Sequence, residues 1–127
     1  MVLAKNFQEA FENVYLFFIK TELKINNKEI TLETYSNGCS IIFPKRKVIT
    51  IDKIKKFIEK YNPRFGYKLR LHPSKLFLFW GVNPLVKFKK RSIKVNFYGI
   101  GAPKENYETY MELIKDLILL YEPDAKI

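Results

Sequence analysis

The sequence predicts an α+β fold in which an antiparallel β-sheet carries helices packed on one of its faces. Two observations predict it: apolar residues recur at helical spacing in three segments, and the segments between them alternate apolar and polar residues as half-buried strands do. The predicted order is helix, strands, helix, strands, helix. A chain of 127 residues with 47% hydrophobic content suits one domain with a packed core. Within it we predict an N-terminal helix over residues 5–20, a first strand–helix unit over 21–62 and a second over 66–122.

The N-terminal helix is predicted from the amphipathic segment "NFQEAFENVYLFFIK". Its apolar stripe consists of Phe7, Phe11, Val14 and Phe18. Asn6 is placed to cap this helix, with Glu9 three residues later, as in a capping box. Residues 21–43 then alternate, with breaks at the Asn-Asn pair 26–27 and at the Asn-Gly pair 37–38, and Asn-Gly is the strongest short-range hairpin signal. We therefore expect two or three short strands in this segment.

The second helix is predicted in "TIDKIKKFIEKYNP", between Thr50 as its N-cap and a stop before Pro63. Its apolar stripe consists of Ile51, Ile54, Ile58 and Tyr61. Alternating segments then predict four strands, at residues 66–71, 75–80, 85–89 and 92–98. The last helix is started by Pro103, because proline is favoured at the first helical position, and is stopped by Pro123.

The net charge of +10 is concentrated in the middle of the chain. Between Thr34 and Lys104 there are 17 lysines and arginines against two acids, Asp52 and Glu59, which gives +15. The flanking segments hold 6 basic and 11 acidic residues, which gives −5. A positive field of this kind attracts polyanions, either nucleic acid or an anionic membrane surface, and it also keeps a protein soluble.

Along each strand of the second half, alternate residues point to opposite faces of the sheet, which sorts these residues into two sets. One face is nearly all apolar and is expected to pack on the helices. It consists of Tyr67, Leu69, Leu71, Leu76, Leu78, Trp80, Val86, Phe88, Ile93, Val95 and Phe97. The other face mixes cations with aromatic rings and has no acids. It consists of Lys68, Arg70, His72, Lys75, Phe77, Phe79, Lys87, Lys89, Lys94, Asn96 and Tyr98. This assignment depends on the register of each strand, because a slip of one residue exchanges the faces.

A face that combines cations with flat rings suits nucleic-acid binding, because cations neutralise phosphates and rings stack on bases or wedge between them. We therefore predict a non-catalytic nucleic-acid-binding protein, with DNA favoured over RNA as its partner. The predicted phosphate contacts are Lys68, Arg70, Lys87, Lys89, Arg91 and Lys94. The predicted ring contacts are Phe77, Phe79 and Tyr98.

Protein interaction is an alternative use of the same face. In such an interaction or regulatory module, Phe77 and Phe79 would be covered by an acidic partner, by a second copy in a homodimer or by the N-terminal helix, and the lysines would only solubilise the protein. The basic runs "PKRK" (44–47) and "KFKKR" (87–91) leave a similar choice open. They serve either as phosphate clamps or as solubilising turns that keep strand edges from pairing.

Part of the second half resembles one repeat of the TATA-binding protein fold. The matching pieces, in "YNPRFGYKLRLHPSKLFLFWG" and "KVNFYGIGAPKENYETYMELIKDLI", are Tyr61, Asn62, Pro63, Phe65, Pro73, Phe79, Gly81, Gly101 and Ala102. The resemblance implies that Phe65 and Phe79 wedge into the minor groove of DNA, with Arg70 and Lys94 on nearby strands touching the backbone. A single repeat would need a homodimer, or the first half as a degenerate partner, to form the saddle of that family.

The sequence carries no motif of an enzyme or of a metal site. Neither GxxxxGK[ST] nor GxGxxG occurs, and "GIGA" (99–102) is interpreted as a strand-to-helix turn. Cys39 and His72 are too few for a metal cluster, and nothing in the sequence places Cys39 or a serine beside His72. We therefore predict no enzyme activity, no metal, no cofactor and no small-molecule substrate. The chain also lacks an apolar run that could span a membrane and the leader of a signal peptide, which predicts an intracellular protein, cytoplasmic or nucleoid-associated.

Overall fold

The computed structural model describes residues 1–72, 74–97 and 103–127, with side chains in the last range from residue 106 onward. Over these residues the chain forms three α-helices: α1 (Phe7–Tyr15), α2 (Ile51–Tyr61) and α3 (Pro103–Tyr121). It also forms eight strands: β1 (Val2–Ala4), β2 (Thr21–Ile25), β3 (Lys28–Tyr35), β4 (Gly38–Ile42), β5 (Leu69–His72), β6 (Phe77–Trp80), β7 (Asn83–Phe88) and β8 (Ser92–Asn96). A 3₁₀ turn over Asn62–Phe65 follows α2 directly. The predicted α+β class is confirmed.

The described strands form one sheet in the order β1-β2-β3-β4-β8-β7-β6-β5. Its neighbouring strands pair antiparallel except β1, which lies parallel to β2. The prediction of a purely antiparallel sheet that begins with a helix was therefore wrong. The strand β1 precedes α1, and the crossover through α1 lets β2 run in the same direction as β1. Three residues are too few for an alternating pattern to show in the sequence.

The first helix is shorter than predicted. It ends at Tyr15, with Leu16 as its C-cap, rather than at residue 20. The chain turns at Phe18, whose φ of 55° lies in the left-handed region. Phe18 was predicted as part of the apolar stripe, but it is 56% exposed, next to Phe17 at 61%. The end of the predicted stripe is therefore an exposed apolar loop.

Other local signals act as the sequence predicts. The side chains of Asn6 and Thr50 accept hydrogen bonds from backbone N–H groups in the first turns of α1 and α2, at 2.9 and 3.4 Å. Asn26 and Asn27 have φ values of 51° and 63° between β2 and β3. A two-residue type I′ hairpin turn requires positive φ at both of its central positions, and asparagine tolerates that conformation.

The buried core lies on one side of the sheet, between the sheet and the helices. Along one cross-strand row, Leu32 of β3, Ile41 of β4 and Ile93 of β8 are neighbours and are fully buried. Tyr15 of α1 packs edge-on against Phe97 on this side, with ring centroids 4.9 Å apart. We call this side the inner face and the opposite side the outer face. Because α1 packs on the inner face, it does not cover the predicted face of cations and rings.

The predicted apolar face is the inner face, with one exception. Its buried or partly buried members are Leu69, Leu71, Leu76, Leu78, Trp80, Val86, Phe88, Ile93, Val95 and Phe97. Tyr67 is 74% exposed instead, because it precedes β5 and has a left-handed φ of 58°. A bulge between β6 and β7 leaves Leu85 without a pairing partner in β6. A bulged residue departs from the alternation of its strand, and Leu85 is fully buried.

The two halves of the sheet meet where β4 pairs with β8, and Gly38 allows their close approach. A β-carbon at Gly38 would lie 1.9 Å from the carbonyl oxygen of Val95, far inside van der Waals contact. Gly38 does not have a positive φ, so the glycine is required here by space. Tyr35 pairs directly with Gly38, which makes residues 36–37 the hairpin turn. The Asn-Gly signal therefore predicted the hairpin correctly but not the position of its turn.

We expect Gly38→Ala to lower the free energy of unfolding by about 1–3 kcal/mol, the usual cost of overpacking a tight contact. The added methyl group must push β4 away from β8. Ser40→Ala, two residues along β4 on the outer face, is the matched control and should change stability by less than about 0.5 kcal/mol. Urea denaturation followed by circular dichroism measures both values. Equal stability of Gly38→Ala and the wild type would contradict the close approach of the two strands.

Candidate nucleic-acid interface

The outer face presents two neighbouring rows of side chains that cross the sheet from β3 to β5. Strand register gives the first row as Glu33, Ser40, Lys94, Lys87, Phe77 and His72. It gives the second row as Tyr35, Gly38, Asn96, Pro84, Phe79 and Arg70. The β6–β7 bulge interrupts the second row, and the Asn96 side chain donates to the Pro84 carbonyl across the gap at 2.8 Å. These rows place residues of β3 on the same surface as the predicted residues of the second half.

Three aromatic rings in these rows each lie under a cation. The pairs, with the distance from cation to ring centroid, are Arg70 on Phe79 (5.2 Å), Lys87 on Phe77 (4.7 Å) and Lys94 on Tyr35 (4.8 Å). All three distances are within the range of cation–π attraction. The Phe77 and Phe79 rings are themselves 6.0 Å apart and tilted by 54°. We call these six residues the cation–ring cluster.

Lys87 and Lys94 lie directly opposite each other on β7 and β8. Like charges in this position repel each other. In the ion pairs of the described residues neither lysine has a carboxylate partner, and each extends over a ring instead. An anion bound between them would remove the repulsion and gain charge-assisted hydrogen bonds. The two lysines therefore repel each other without a neutralising carboxylate among the described residues.

Tyr35 belongs to the cluster but was not among the predicted site residues. Its hydroxyl lies 2.8 Å from the Val95 carbonyl oxygen and 2.6 Å from Oδ1 of Asn96, and it donates to one or the other. These bonds hold the ring in place beneath Lys94. Tyr35 and Val95 are 60 residues apart in the chain and meet only through the β4–β8 pairing. Alternation within a strand predicts which face a residue occupies but not which strand lies beside it.

The other predicted contacts divide into three groups. The exposed cations on or beside the basic strands are Lys68, Arg70, Lys87, Lys89 and Lys94. Phe77 and Phe79 are partly buried on the outer face. The residues outside the described part of the chain are the ring contact Tyr98 and three that carry the family resemblance, Pro73, Gly101 and Ala102.

Two predicted contacts are engaged within the fold. Phe65 is 7% exposed and packs edge-on against Trp80, with centroids 5.5 Å apart. Its ring lies in the core. Phe65 therefore presents no exposed ring that could wedge into the minor groove as the resemblance implies. The Arg91 guanidinium donates to the carbonyls of Phe43 and Pro44 at 3.1 and 2.9 Å. Arg91 therefore ties the β7–β8 turn to the end of β4.

The outer face has an acidic part and a basic part. Its outward residues on β2 and β3 include Glu22, Glu29 and Glu33, and Glu33 pairs with Lys20 at 3.8 Å. Residues 68–97, which contain β5 to β8, hold eight lysines and arginines and no acid. Positive charge without a carboxylate partner therefore collects on β5 to β8.

Two cations between α2 and α3 are paired with acids. Lys60 of α2 pairs with Asp116 of α3 at 2.6 Å, and Arg64 pairs with Glu112. The same Asp116 accepts a hydrogen bond from the Tyr61 hydroxyl at 2.6 Å. These contacts join α2 to α3, so the cations here have a structural partner that the cations of the outer face lack.

The remaining reactive side chains have local roles. Cys39 is fully buried, and burial raises the pKa of its thiol, which keeps it protonated at neutral pH. No pattern in the sequence placed a serine beside His72, and in the structure Ser74 Oγ is 3.1 Å from His72 Nδ1. Both are exposed and only two residues apart, which is typical of a side-chain contact within a turn. Across residues 1–72, 74–97 and 103–127, no group of three His, Cys, Asp or Glu side chains is placed to hold a metal ion.

Comparison of the chain with models of known protein families, with curated proteins and with solved structures found no match. The geometry of the chain itself is therefore the basis for a proposal about function. Within the part of the chain that the structure describes, no helix has the length and apolar character needed to cross a bilayer.

A buried carboxylate anchors the loop before α2 to the end of α3. The side chain of Glu122 is 7% exposed and contacts Lys28 Nζ at 2.7 Å and Lys47 Nζ at 3.0 Å. Burial alone would raise the pKa of Glu122, but the hydrogen bonds and charges of the two lysines outweigh burial and hold the pKa below its ordinary value. The loop that Lys47 anchors carries the basic run 44–47.

Because the folded-state pKa of Glu122 lies below the unfolded value of about 4.3, its ion pairs stabilise the fold above that pH. This stabilisation is lost as the pH falls through the folded-state pKa. We expect Glu122→Gln to lower the free energy of unfolding at neutral pH by about 1–2 kcal/mol, since solvent screens the partly exposed lysines. The difference from wild type should shrink as the pH falls below about 4.3 and through the lower folded-state pKa. Urea denaturation midpoints of wild type and Glu122→Gln at a series of pH values measure this difference. The exposed Glu29→Gln is the control. A difference that stays constant with pH would contradict the assigned charge state.

Proposed function

We propose that this protein binds nucleic acid, without catalysis, through the basic part of its outer sheet face, and that the nucleic acid is DNA. The cation–ring cluster carries the proposal. It combines three cations that have no carboxylate partner among the described residues with three aromatic rings on one surface. Phosphates and bases require these two kinds of group side by side.

A cation gains more free energy from a phosphate than from an aromatic ring, so a phosphate can replace the ring as the partner of the cation. An exposed cation–π contact contributes about 0.5–1 kcal/mol, whereas a hydrogen bond between charged groups contributes about 1.5–3 kcal/mol. A phosphate can therefore draw a cation off its ring with a net gain. The ring face that is uncovered is then open to a base, and each stacked base contributes about 1–3 kcal/mol.

The rings are held in position before any ligand arrives. Tyr35 is fixed by its hydroxyl, and Phe77 and Phe79 are partly buried beside each other. Binding then requires little loss of ring freedom, which would otherwise reduce affinity. The lysines, by contrast, are exposed and free to follow the phosphates.

The width of the basic part of the outer face, from β5 to β8, sets the number of phosphates that it can contact. Strands β5 to β8 span three interstrand spacings, about 14 Å. Phosphates along one strand of duplex DNA follow each other every 3.4 Å or so of helix axis, so about three or four fall within this span. The expected rise of log Kd with log salt concentration therefore has a slope of about 3.

Fluorescence anisotropy with labelled duplex DNA, single-stranded DNA and RNA over a series of salt concentrations tests the phosphate contacts. Lys94→Gln should lower the slope on duplex DNA by about 0.9, because one phosphate contact is lost. Lys56→Gln removes the same charge from an exposed position on α2 and should leave the slope unchanged. Equal salt slopes for Lys94→Gln and Lys56→Gln would mean that DNA binding depends only on the net charge of the protein.

The ring contacts are tested by Phe79→Leu, which keeps apolar bulk but removes the flat ring. We expect it to weaken DNA binding by about 5-fold to 150-fold, or 1–3 kcal/mol, with the salt slope unchanged. Phe17→Leu changes an exposed ring in the loop between α1 and β2 and should leave binding unchanged. Unchanged affinity of a correctly folded Phe79→Leu would rule out stacking.

Tighter binding of RNA than of either form of DNA would contradict the choice of DNA.

Protein interaction is the second candidate function, and exposed apolar residues at the opposite end of the sheet favour it. Phe17 and Phe18 are 61% and 56% exposed beside β2. Residues 1–33 hold four lysines and five glutamates, which gives −1, so two copies with net charge +10 meet least repulsion here. The candidate is a homodimer through this end, with the outer-face cluster left free.

The homodimer predicts a mass of two chains in size-exclusion chromatography with light scattering. Phe17→Ser should shift the wild-type dimer to the monomer mass, because it removes an apolar contact without affecting the core. Phe79→Leu, at the other end of the sheet, should leave the mass unchanged. A wild-type monomer up to about millimolar concentration would exclude this candidate.

A further inference from the structure

The two basic runs of the sequence meet in the folded chain. The run 44–47 lies in the loop between β4 and α2, and the run 87–91 forms the end of β7 and the turn to β8. Lys47 N–H donates to the Lys90 carbonyl at 2.6 Å, and Phe43 N–H donates to the Arg91 carbonyl at 2.9 Å. The Arg91 guanidinium adds two further bonds to the first segment. Backbone hydrogen bonds therefore fix the position of one run relative to the other.

A groove of about 580 Å³ lies between the two segments. Its apolar lining comes from Val48, Ile49, Leu76 and Phe88, and its cations are Arg46, Lys47, Lys89 and Lys90. The volume is within the range of small-ligand sites, which are mostly apolar with a few polar groups that orient the ligand. This combination suits a ligand that has one flat apolar part and one anionic part.

The charge of the groove favours a phosphate over a carboxylate. Lys47 pairs with Glu122, but Arg46, Lys89 and Lys90 have no carboxylate partner in the ion pairs of the described residues. Three cations at one rim repel each other and are best neutralised by a group with more than one negative charge. A phosphate monoester carries about −1.5 to −2 at neutral pH, whereas a carboxylate carries one charge.

We propose that this groove binds a nucleotide, with its phosphate on Arg46, Lys89 and Lys90 and its base on the half-buried apolar lining at Ile49 and Leu76. The Arg46 guanidinium can hold two phosphate oxygens at once, and the lysines add point charges. Apolar contacts along the base distinguish little between base types, so the site should accept several nucleotides.

The groove and the outer-face cluster are neighbours in the chain at the end of β7. Lys87 belongs to the cluster on the outer face, while the next residue, Phe88, faces inward and lines the groove. The nucleotide is therefore either free or the terminal nucleotide of a strand that lies on the cluster. Only the second source rests on the proposed function.

Methyl NMR on the full chain tests the groove, with adenosine monophosphate, adenosine and inorganic phosphate as separate probes. Adenosine monophosphate should shift the Ile49 and Leu76 methyl signals with saturation, at lower concentration than adenosine or phosphate, while Ile30 in the core of β3 should not respond. Arg46→Gln with Lys90→Gln should weaken this binding about tenfold, because two charged contacts are lost. The matched control is Lys55→Gln with Lys56→Gln on α2, which removes the same charge and should leave it unchanged.

Two results would overturn the proposal. One is the absence of saturable shifts at Ile49 and Leu76. The other is an equal response to inorganic phosphate alone, which would show an anion site without a place for the base. Neither result touches the outer-face proposal, which depends on Lys94 and Phe79.

The source of the nucleotide is resolved by anisotropy with 5′-phosphorylated and 5′-hydroxyl single-stranded DNA. Tighter binding of the phosphorylated strand, lost in Arg46→Gln with Lys90→Gln, supports the groove as a site for a strand end. Equal binding of the two strands, together with methyl shifts by adenosine monophosphate, supports it as a site for a free nucleotide.

Discussion

The close contact between Gly38 and Val95 is the constraint on which the outer face depends. It joins the first four strands to the last four at the β4–β8 pair, where any side chain at position 38 would strike a backbone carbonyl. The same approach brings the Tyr35 hydroxyl within reach of Val95 and Asn96. With that bond made, the Tyr35 ring lies under Lys94, and a residue of the acidic first half becomes part of the basic surface. The presence of Tyr35 in the cluster is therefore a consequence of one steric requirement at the centre of the sheet.

The charge pattern of the outer face costs some stability, and the anionic ligand that we propose would offset this cost. Glu33 and Lys94 flank Ser40 in one row, so the acid is too far along the row to neutralise the facing pair Lys94 and Lys87. Facing like charges cost up to about 1 kcal/mol, and an acid at either position would turn this into a gain. This cost is small compared with a typical total stability of about 5–15 kcal/mol. A fold can therefore retain the repulsion between two lysines where a bound anion neutralises them.

The features that the sequence predicted are those set by neighbours in the chain. The caps at Asn6 and Thr50 and most of the alternation of β5 to β8 depend on residues a few positions apart, and the structure confirms them. The helical stripes are confirmed except at Phe18 and Ile51, which are exposed. Features set by contacts between distant segments were missed. The strand β1 exists because β2 offers it an edge, Leu85 turns inward because β6 and β7 fall out of register, and Tyr35 joins the cluster through β8. Two of the predicted contacts, Phe65 and Arg91, engage partners within the fold that no local pattern reveals.

A fixed backbone beneath the cations would distinguish the proposed site from a run of solubilising lysines, and the backbone of the β7–β8 hairpin is held in place. Arg91 bonds to two carbonyls beyond the end of β4, and the Tyr121 hydroxyl donates to the Lys89 carbonyl at 2.6 Å. Burial raises the pKa of Tyr121 to about 12, so this donor stays protonated over the physiological range. The backbone that carries Lys87, Lys89 and Lys90 is thus fixed to the core from both sides. A solubilising run has no need of such anchors, because its charges act at any spacing, whereas a phosphate site gains from a fixed backbone from which exposed lysine side chains reach the phosphates.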